Sequence, residues 1–221
     1  VLRKRAGQNH NISVSGGSDK VAYLLSMNYL NNPGLMQNTG TERYQFRANL
    51  EAKINKVITV GTQTFASMQT YGMANTDNVF NFLSQTTPGV YPYYDGKFGY
   101  PSAPEESANA NNIVSYLYGT GGHDQESRFN TTLYATFNIY KGLSFESRFN
   151  YQTRFEERNS HTNPTDRWDF ATNTLRFASP TPDLLSTSYA FNKDYRVTID
   201  QVLRYNTRIG NDHEIGALTG Y

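Results

Sequence analysis

The residues best suited to contact a ligand lie in one short loop of the sequence. Just after Pro88 the chain carries a dense group of aromatic rings and one acid: Tyr91, Tyr93, Tyr94, Asp95, Phe98 and Tyr100. Flat rings stack on sugar faces or pack against peptide side chains, and a carboxylate accepts hydrogen bonds. We therefore take these residues, together with the only tryptophan, Trp168, as candidate substrate- or partner-contacting residues.

A second interpretation of this loop stays open. A long loop must pack on something, so the rings could instead fill a small core of the loop itself or sit at a bilayer interface. In that case Asp95 and Gly96 form a turn, for which this pair of residues is well suited.

Residue patterns for catalysis or metal binding are sparse. The four histidines are scattered along the chain, and no pair of them has the spacing of metal ligands. The sequence has no Gly-x-Ser-x-Gly motif, and Gly119–Gly122 lacks the Lys-Ser/Thr of a phosphate-binding loop. We therefore predict neither an enzyme nor a bound metal or cofactor.

Composition limits the class of protein. The 221 residues are 37% hydrophobic, have a mean hydropathy of −0.65 and include no cysteine, which excludes disulfides and thiolate metal sites. An aromatic fraction of 14% argues against disorder. No apolar run approaches the roughly 20 residues of a membrane helix. A net charge of +1 with scattered Lys and Arg gives no basis for nucleic-acid binding.

Alternating polarity is the dominant pattern of the chain. From Arg43 to Ile54 every even position is apolar and every odd position is polar, which is typical of a strand with two different faces. Two further segments alternate clearly, at 129–139 and 143–155. Five weaker segments lie at about 8–15, 21–30, 57–70, 195–208 and 213–221. The sequence therefore predicts an all-β chain of about eight strands.

The connectors between the predicted strands alternate in length. Every second one is short, and the others are long, at about 31–42, 71–127 and 157–194. Compact soluble domains rarely carry unstructured loops beyond about 12–15 residues. Outer-membrane barrels combine tight turns at one end with long external loops, and their strands cross an apolar band of roughly 25 Å. The pattern predicts an antiparallel transmembrane β-barrel segment whose long connectors are external.

Alternation alone also fits a soluble β-sandwich with its apolar face inward. In the barrel, Phe46, Leu50, Phe137 and Phe149 would contact lipid. The charged residues of the opposite face would line a water-filled lumen: Arg47, Glu51, Glu146, Arg148 and Arg154. In a sandwich these charged residues would only be solvated outer residues. Strand length and connector length favour the barrel.

Two helices are predicted within the longest connector. Ser102 and Glu105 match a capping box, apolar residues at helical spacing follow, and Gly119 suits the helix end. This pattern predicts a helix over 103–118. A second short helix is indicated after Thr76 by apolar residues at Val79, Phe80 and Leu83.

Several segments resemble a known family. The segment Gln8–Gly17 (QNHNISVSGG) resembles the start of the barrel region in SusC/RagA-type TonB-dependent transporters, and Arg43–Leu50 with Val60–Gly61 is similar to the next strands. The segment Pro92–Gly99 is similar to the family's proline-aromatic-Asp-Gly-x-aromatic-Gly loop. Near the end of the chain, a further set of residues resembles a later hairpin of the family: Tyr205, Gly210, His213 and Gly220–Tyr221.

The resemblance implies that residues 1–221 are part of one TonB-dependent transporter barrel domain of about 22 strands. In that family the barrel is closed by a plug, energised by the TonB complex and covered by a SusD-like surface lipoprotein. Its cargo is a bulky nutrient, an oligosaccharide or a peptide. We find neither a plug nor a TonB box in this sequence.

The location implied by the resemblance is the outer membrane of a Gram-negative, Bacteroidetes-like cell, with outer-membrane lipid around the barrel. The alternative function is a soluble all-β carbohydrate-binding module that uses the aromatic loop 91–100.

Overall fold

The chain is built around one large antiparallel sheet. The computed structural model describes residues 2–74, 76, 79–86, 90–101, 112–177, 184–210 and 213–221. In chain order their elements are β1 (Gln8–Gly17), β2 (Val21–Pro33), β3 (Gly40–Lys53), β4 (Ile58–Gly72), α1 (Val79–Gln85), β5 (Tyr93–Tyr94), β6 (Lys97–Gly99), α2 (Ile113–Tyr118), β7 (Thr120–Tyr140), β8 (Leu143–Thr162), β9 (Arg167–Asp169), β10 (Thr174–Phe177), β11 (Thr187–Ile209) and β12 (His213–Gly220).

These strands form two sheets. Eight long strands pair in the order β1-β2-β3-β4-β7-β8-β11-β12, which we call the main sheet. Four short strands pair in the order β10-β9-β6-β5, which we call the connector sheet because it is built from two connectors of the main sheet. The eight strands predicted from alternating polarity are those of the main sheet, and every pair in it is antiparallel. The all-β, antiparallel prediction is confirmed.

Several strands extend further than predicted, and the longest extensions lie at one end of the sheet. The strand β7 begins at Thr120, β8 continues to Thr162, and β11 begins at Thr187. The three connectors predicted to be long therefore cover 34–39, 73–119 and 163–186 instead of 31–42, 71–127 and 157–194, and the first of them is short. The segments added to β7 and β8 carry polar residues on both faces, so alternation could not reveal them, although the ladder of backbone hydrogen bonds continues. The segment added to β11 includes Tyr189 and Phe191 and was nevertheless not predicted as strand.

Tight turns join the strands at the opposite end of the main sheet. After β3, the Asn55 side-chain oxygen accepts hydrogen bonds from the backbone N–H groups of Val57 (2.7 Å) and Ile58 (2.8 Å). Between β7 and β8, Gly142 has a φ of +79°, which glycine adopts without steric cost. All long connectors consequently leave the main sheet at one end and all tight turns leave it at the other.

The deeply buried apolar side chains of the described residues lie in the connectors. Val79, Ile113 and Leu117 form a small core between α1 and α2, and Met36 of the 34–39 connector packs against it. Phe82 of α1 also packs there, with its ring centroid 4.6 Å from that of Tyr116. The connectors therefore fold into a structured layer at their end of the main sheet.

Both helices of this layer agree in part with the sequence predictions. The helix expected after Thr76 is α1, whose Val79 N–H donates to the Thr76 carbonyl. The helix expected over 103–118 is described over Ile113–Tyr118, where Asn112 is its N-cap and Gly119 its C-cap. The predicted capping box at Ser102 and Glu105 lies outside the described residues.

One face of the main sheet is apolar and exposed. Residues paired across strands project to the same side, so Leu50, Leu133 and Phe149 share a face with Ile199. On this face Ile12 is 73% exposed, Met27 65% and Ile199 57%. In a sandwich a second sheet would cover such a face, and nothing in the described part of the chain does so. No described helix has the length and apolarity needed to span a membrane.

Candidate functional site

The aromatic loop forms a tight β-hairpin. Tyr93 pairs with Phe98 and Tyr94 pairs with Lys97, so the turn consists of two residues, Asp95 and Gly96. Both have positive φ, 44° and 76°, as a type I′ turn requires. The backbone of Asp95 thus makes the turn of the second interpretation, while its side chain remains exposed.

The hairpin meets Trp168, which comes from another connector. Strand β6 pairs in parallel with β9, so that Gly99 lies opposite Trp168, and the Tyr100 N–H donates to the Trp168 carbonyl at 2.8 Å. The structure therefore brings together the two candidate regions, which are far apart in the sequence. Lys97 lies over the Trp168 ring, 4.1 Å from its centroid, and donates to Asn173 Oδ1 at 3.0 Å.

The rings of the hairpin separate into two groups. The rings of Tyr91 and Tyr94 pack edge to face. Both also contact Phe170 of the 163–186 connector, at centroid distances of 6.1–6.4 Å. Phe98 lies between Tyr93 (5.2 Å) and Tyr118 of α2 (5.7 Å). Sequence reasoning missed Phe170 and Tyr118, because nothing in the alternation or composition singles them out.

Exposure differs among the candidate residues. Tyr91 and Tyr94 are each 63% exposed and Tyr93 is 49% exposed, whereas Phe98, Tyr100 and Trp168 are partly buried. The exposed set, Tyr91, Tyr93 and Tyr94, is available to a ligand. The other three rings pack within the connector sheet, as the second interpretation of the loop expects. Contact of the exposed rings with a ligand or partner stays a prediction.

Asn112 fastens the hairpin to α2. Its side-chain oxygen accepts from the N–H groups of Val114 and Ser115, which caps the helix. Its side-chain nitrogen donates to the carbonyls of Pro92 (2.9 Å) and Gly99 (2.8 Å) at the two ends of the hairpin. Only 5% of Asn112 is exposed.

The base of the connector sheet is polar and buried. Thr165, Arg167 and Asp169 are each at most 9% exposed. Burial lowers the pKa of the Arg167 guanidinium from its ordinary value, while the nearby Tyr100 acts in the opposite direction. An arginine keeps its charge in proteins despite such a shift, so Arg167 contributes a buried positive charge to β9.

The charged residues predicted for the lumen share one face of the main sheet. The pairing Glu51–Gly61–Tyr134–Arg148 runs across four adjacent strands, and Arg47 and Arg154 lie on the same side. Glu146 is two residues before Arg148 and pairs with it. We call this the polar face. That it lines a water-filled lumen stays a prediction.

A glycine makes room for one contact of the polar face. The Tyr134 ring extends across β4 at Gly61, and its hydroxyl donates to Glu51 Oε2 at 2.9 Å. A Cβ atom at Gly61 would lie 2.3 Å from Cζ of Tyr134. The small residue therefore allows an aromatic side chain to join two strands that do not pair with each other.

Ion pairs follow the polar face toward the connectors. Arg154 donates to Asp194 Oδ2 with two nitrogens, at 3.1 and 2.8 Å, and lies 3.3 Å from Glu156. Arg158 pairs with Asp124 at 2.6 Å. The partners Asp124 and Asp194 lie in parts of β7 and β11 that were not predicted as strand. Beside these pairs is a depression of about 620 Å³, lined by Phe65, Asn130, Gln152, Arg154 and Arg196 among others.

The described residues contain no group of three or more His, Asp or Glu side chains placed to hold a metal ion. What the geometry offers is an aromatic, partly exposed hairpin at one end and a charged face along the sheet. Together with the exposed apolar face and the one-sided connectors, these features define a segment of an outer-membrane type of β-barrel.

Comparisons with known proteins agree with this class. The chain is 24% identical over 225 residues to TonB-dependent receptor P26 of Formosa agariphila, covering 96% of this chain and 20% of that protein. It is 22% identical over 214 residues to TonB-dependent receptor P39 of the same organism, covering 96% and 19%. No family model matches the chain.

Solved structures show the same fold. The RagAB peptide transporter superimposes with a TM-score of 0.72 at 16% identity, covering 97% of this chain and 24% of that one. The RagAB peptide importer in its open-open state gives 0.71 at 18% identity, covering 96% and 23%.

These comparisons confirm the resemblance to SusC/RagA-type TonB-dependent transporters, and the solved structures share the fold of the main sheet. That residues 1–221 belong to one barrel domain stays a prediction. The chain spans about a fifth of the length of the curated relatives that it matches. Those proteins are named as receptors and the structures as a transporter and an importer, which agrees with the prediction of a non-enzyme.

Proposed function

We propose that this chain is part of the barrel of a TonB-dependent importer in the outer membrane of a Bacteroidetes-like cell. The observation that carries the proposal is the main sheet, whose apolar face is exposed and whose opposite face is polar and charged. Lipid would contact the apolar face, and water and cargo would contact the polar face. A soluble carbohydrate-binding module is not favoured, since its apolar sheet face would be buried.

The long connectors would then be external, with the connector sheet at the entrance to the barrel. Exposed loops held by a rigid scaffold are where binding residues concentrate. In this proposal Tyr91, Tyr93 and Tyr94 contact cargo or a SusD-like surface lipoprotein, with Asp95 as a hydrogen-bond acceptor. Phe98, Tyr100 and Trp168 support them. The TonB complex would act through a plug elsewhere in the full-length protein.

The cargo is a bulky nutrient, an oligosaccharide or a peptide. The superimposable RagAB structures are titled as those of a peptide transporter, which supports a peptide for this chain without deciding between the two. Exposed tyrosine rings suit either class, since they stack on sugars and pack against peptide side chains.

The proposal predicts that Tyr91→Ala with Tyr94→Ala weakens import in the full-length protein. An aromatic pair contributes about 0.5–1.5 kcal/mol beyond its buried area, so we expect import several-fold weaker. The first measurement is the uptake by whole cells of two probes, a fluorescent mixed-sequence peptide library and a fluorescent oligoglucan. The second is the association of the surface lipoprotein, measured by co-purification.

Tyr140→Ala is the matched control, because Tyr140 is 74% exposed but lies at the tight-turn end of β7. Its uptake should equal that of the wild type. If the double variant takes up both probes normally and retains the lipoprotein, while its 73–119 connector is cleaved faster by protease, the rings serve only the structure of the connector.

A further inference from the structure

The arginines of the polar face fall into two groups by their partners. Every arginine of β7 and β8 lies beside a carboxylate: Arg128, Arg148, Arg154 and Arg158. By contrast, Arg43 and Arg47 of β3, and likewise Arg196 and Arg204 of β11, have no carboxylate within 4.0 Å among the described residues. The Nε atom of Arg43 is buried and has no hydrogen-bond partner there. A buried donor without a partner carries the cost of its lost hydration.

Arg43 and Arg47 share a depression of about 270 Å³ on the polar face. It covers three adjacent strands, because Asn11, Asn28 and Gln45 form one cross-strand row and Ser26 pairs with Arg47 in the next. Its lining is dominated by polar side chains: Arg43, Arg47, Asn11, Asn28 and Gln45, with Phe65 at one side. The Arg47 guanidinium carbon lies 5.9 Å from the Phe65 ring centroid.

The nearest acids of this strand are directed elsewhere. Glu42 lies on the apolar face, where it accepts hydrogen bonds from the hydroxyls of Tyr29 (3.1 Å) and Tyr44 (2.7 Å). Glu51 is held by Tyr134. The depression therefore combines two guanidinium groups and several amides, and no acid of the described residues lines it.

We propose that Arg43 and Arg47 form a subsite for a carboxylate of the cargo. A guanidinium presents N–H donors in a fork that matches the two oxygens of a carboxylate, and the neighbouring amides add further donors. Arg43 and Arg47 lie three and seven residues from the connector end of β3, on the polar face. This inference rests on the proposed function, since it assumes that cargo passes this face. The carboxylate belongs to a peptide or to an acidic sugar.

The test uses the full-length transporter, purified in detergent, and two pairs of fluorescent probes. One pair is a peptide with a free C-terminal carboxylate and the same peptide as its C-terminal amide. The other is an oligogalacturonate and its methyl ester. Binding is measured for the wild type and for Arg43→Gln with Arg47→Gln, at low and high salt.

We expect the wild type to bind the acid of one pair roughly tenfold more tightly than the neutral form, because charge-assisted hydrogen bonds are the stronger ones. The double variant should lose this preference while it binds the neutral form unchanged. Arg43→Lys with Arg47→Lys should retain part of it. The pair that shows the preference identifies the source of the carboxylate.

Lys53→Gln is the control, because it removes a positive charge from the same face of the same strand at the tight-turn end. It should leave the preference intact. Equal wild-type affinity for acid and neutral forms in both pairs overturns the subsite, and so does a preference that survives in the Gln variant. If the neutral forms still bind, the proposed function stands without the subsite. If the wild type binds none of the four probes, both are contradicted.

Discussion

We expect Leu50→Arg to lower the free energy of unfolding of the full-length protein by about 2–4 kcal/mol, the cost of arginine at the midplane of a membrane barrel. Leu50 lies on the exposed apolar face in one row with Leu133 and Phe149. Along β3 and its turn, this face runs from Tyr44 to Ile54. Ten residues at about 3.3 Å, tilted by about 40°, rise about 25 Å, which is the height of the apolar band. Leu50 is therefore near its middle.

Tyr44→Arg should cost much less, about 0–1 kcal/mol, as expected near a membrane interface. Tyr44 lies at the connector end of the apolar face, beside Tyr29 at a centroid distance of 5.0 Å and hydrogen-bonded to Glu42. Such a group of tyrosines is typical of the aromatic girdle of a barrel.

The matched control is Asn49→Arg, one residue from Leu50 and at the same depth but on the polar face. It should be close to neutral. The measurement is denaturant unfolding of each variant in lipid vesicles. A sheet whose apolar face is buried in a soluble core would penalise Leu50→Arg and Tyr44→Arg about equally, which would contradict the membrane assignment.

The second large effect is expected at Asn112, where Asn112→Asp should loosen the connector sheet. The aspartate keeps an oxygen that can cap α2, but it replaces the donor that bonds the carbonyls of Pro92 and Gly99 with a second oxygen. A buried donor or acceptor left unsatisfied costs about 1–3 kcal/mol, and a charged group costs more. The hairpin and α2 should therefore separate locally while the main sheet keeps its stability.

Hydrogen exchange of the backbone over residues 91–101 reports this directly, and it should be faster by an order of magnitude or more in the variant. Asn173→Asp makes the same chemical change in the same region, but there the side chain acts as an acceptor for Lys97. Its exchange should match that of the wild type. Unchanged exchange in Asn112→Asp would mean that the two hydrogen bonds from Asn112 to the hairpin do not stabilise it.

The sequence was sufficient to predict the eight strands of the main sheet because one face is apolar and the other polar. In β3 the alternation is complete, and the predicted and observed strands differ by only a few residues at each end. Where both faces are polar, as in Thr120–Ser127 of β7, polarity carries no information about strand formation. Those extensions depend on hydrogen bonding to a neighbouring strand, which no local pattern encodes.

The candidate site was predictable in its parts but not in its assembly. Composition singled out the aromatic loop and Trp168, and the Asp-Gly pair suggested its turn. The parallel pairing of β6 with β9 joins residues about seventy positions apart and has no local signal. The role of Asn112 is equally hidden, since it depends on two carbonyl groups of a distant hairpin.

The most direct test of the central claim is the reactivity of single cysteines on the two faces of the main sheet. The chain has no cysteine, so each introduced thiol is the only one within it. Arg148 and Phe149 are adjacent in β8, at the same depth and on opposite faces. In the full-length protein in intact outer membranes, Arg148→Cys should react with a membrane-impermeant maleimide and Phe149→Cys should be protected. Equal reactivity of the two, or protection of Arg148→Cys alone, would contradict a barrel segment with a wet polar face and a lipid-contacting apolar face.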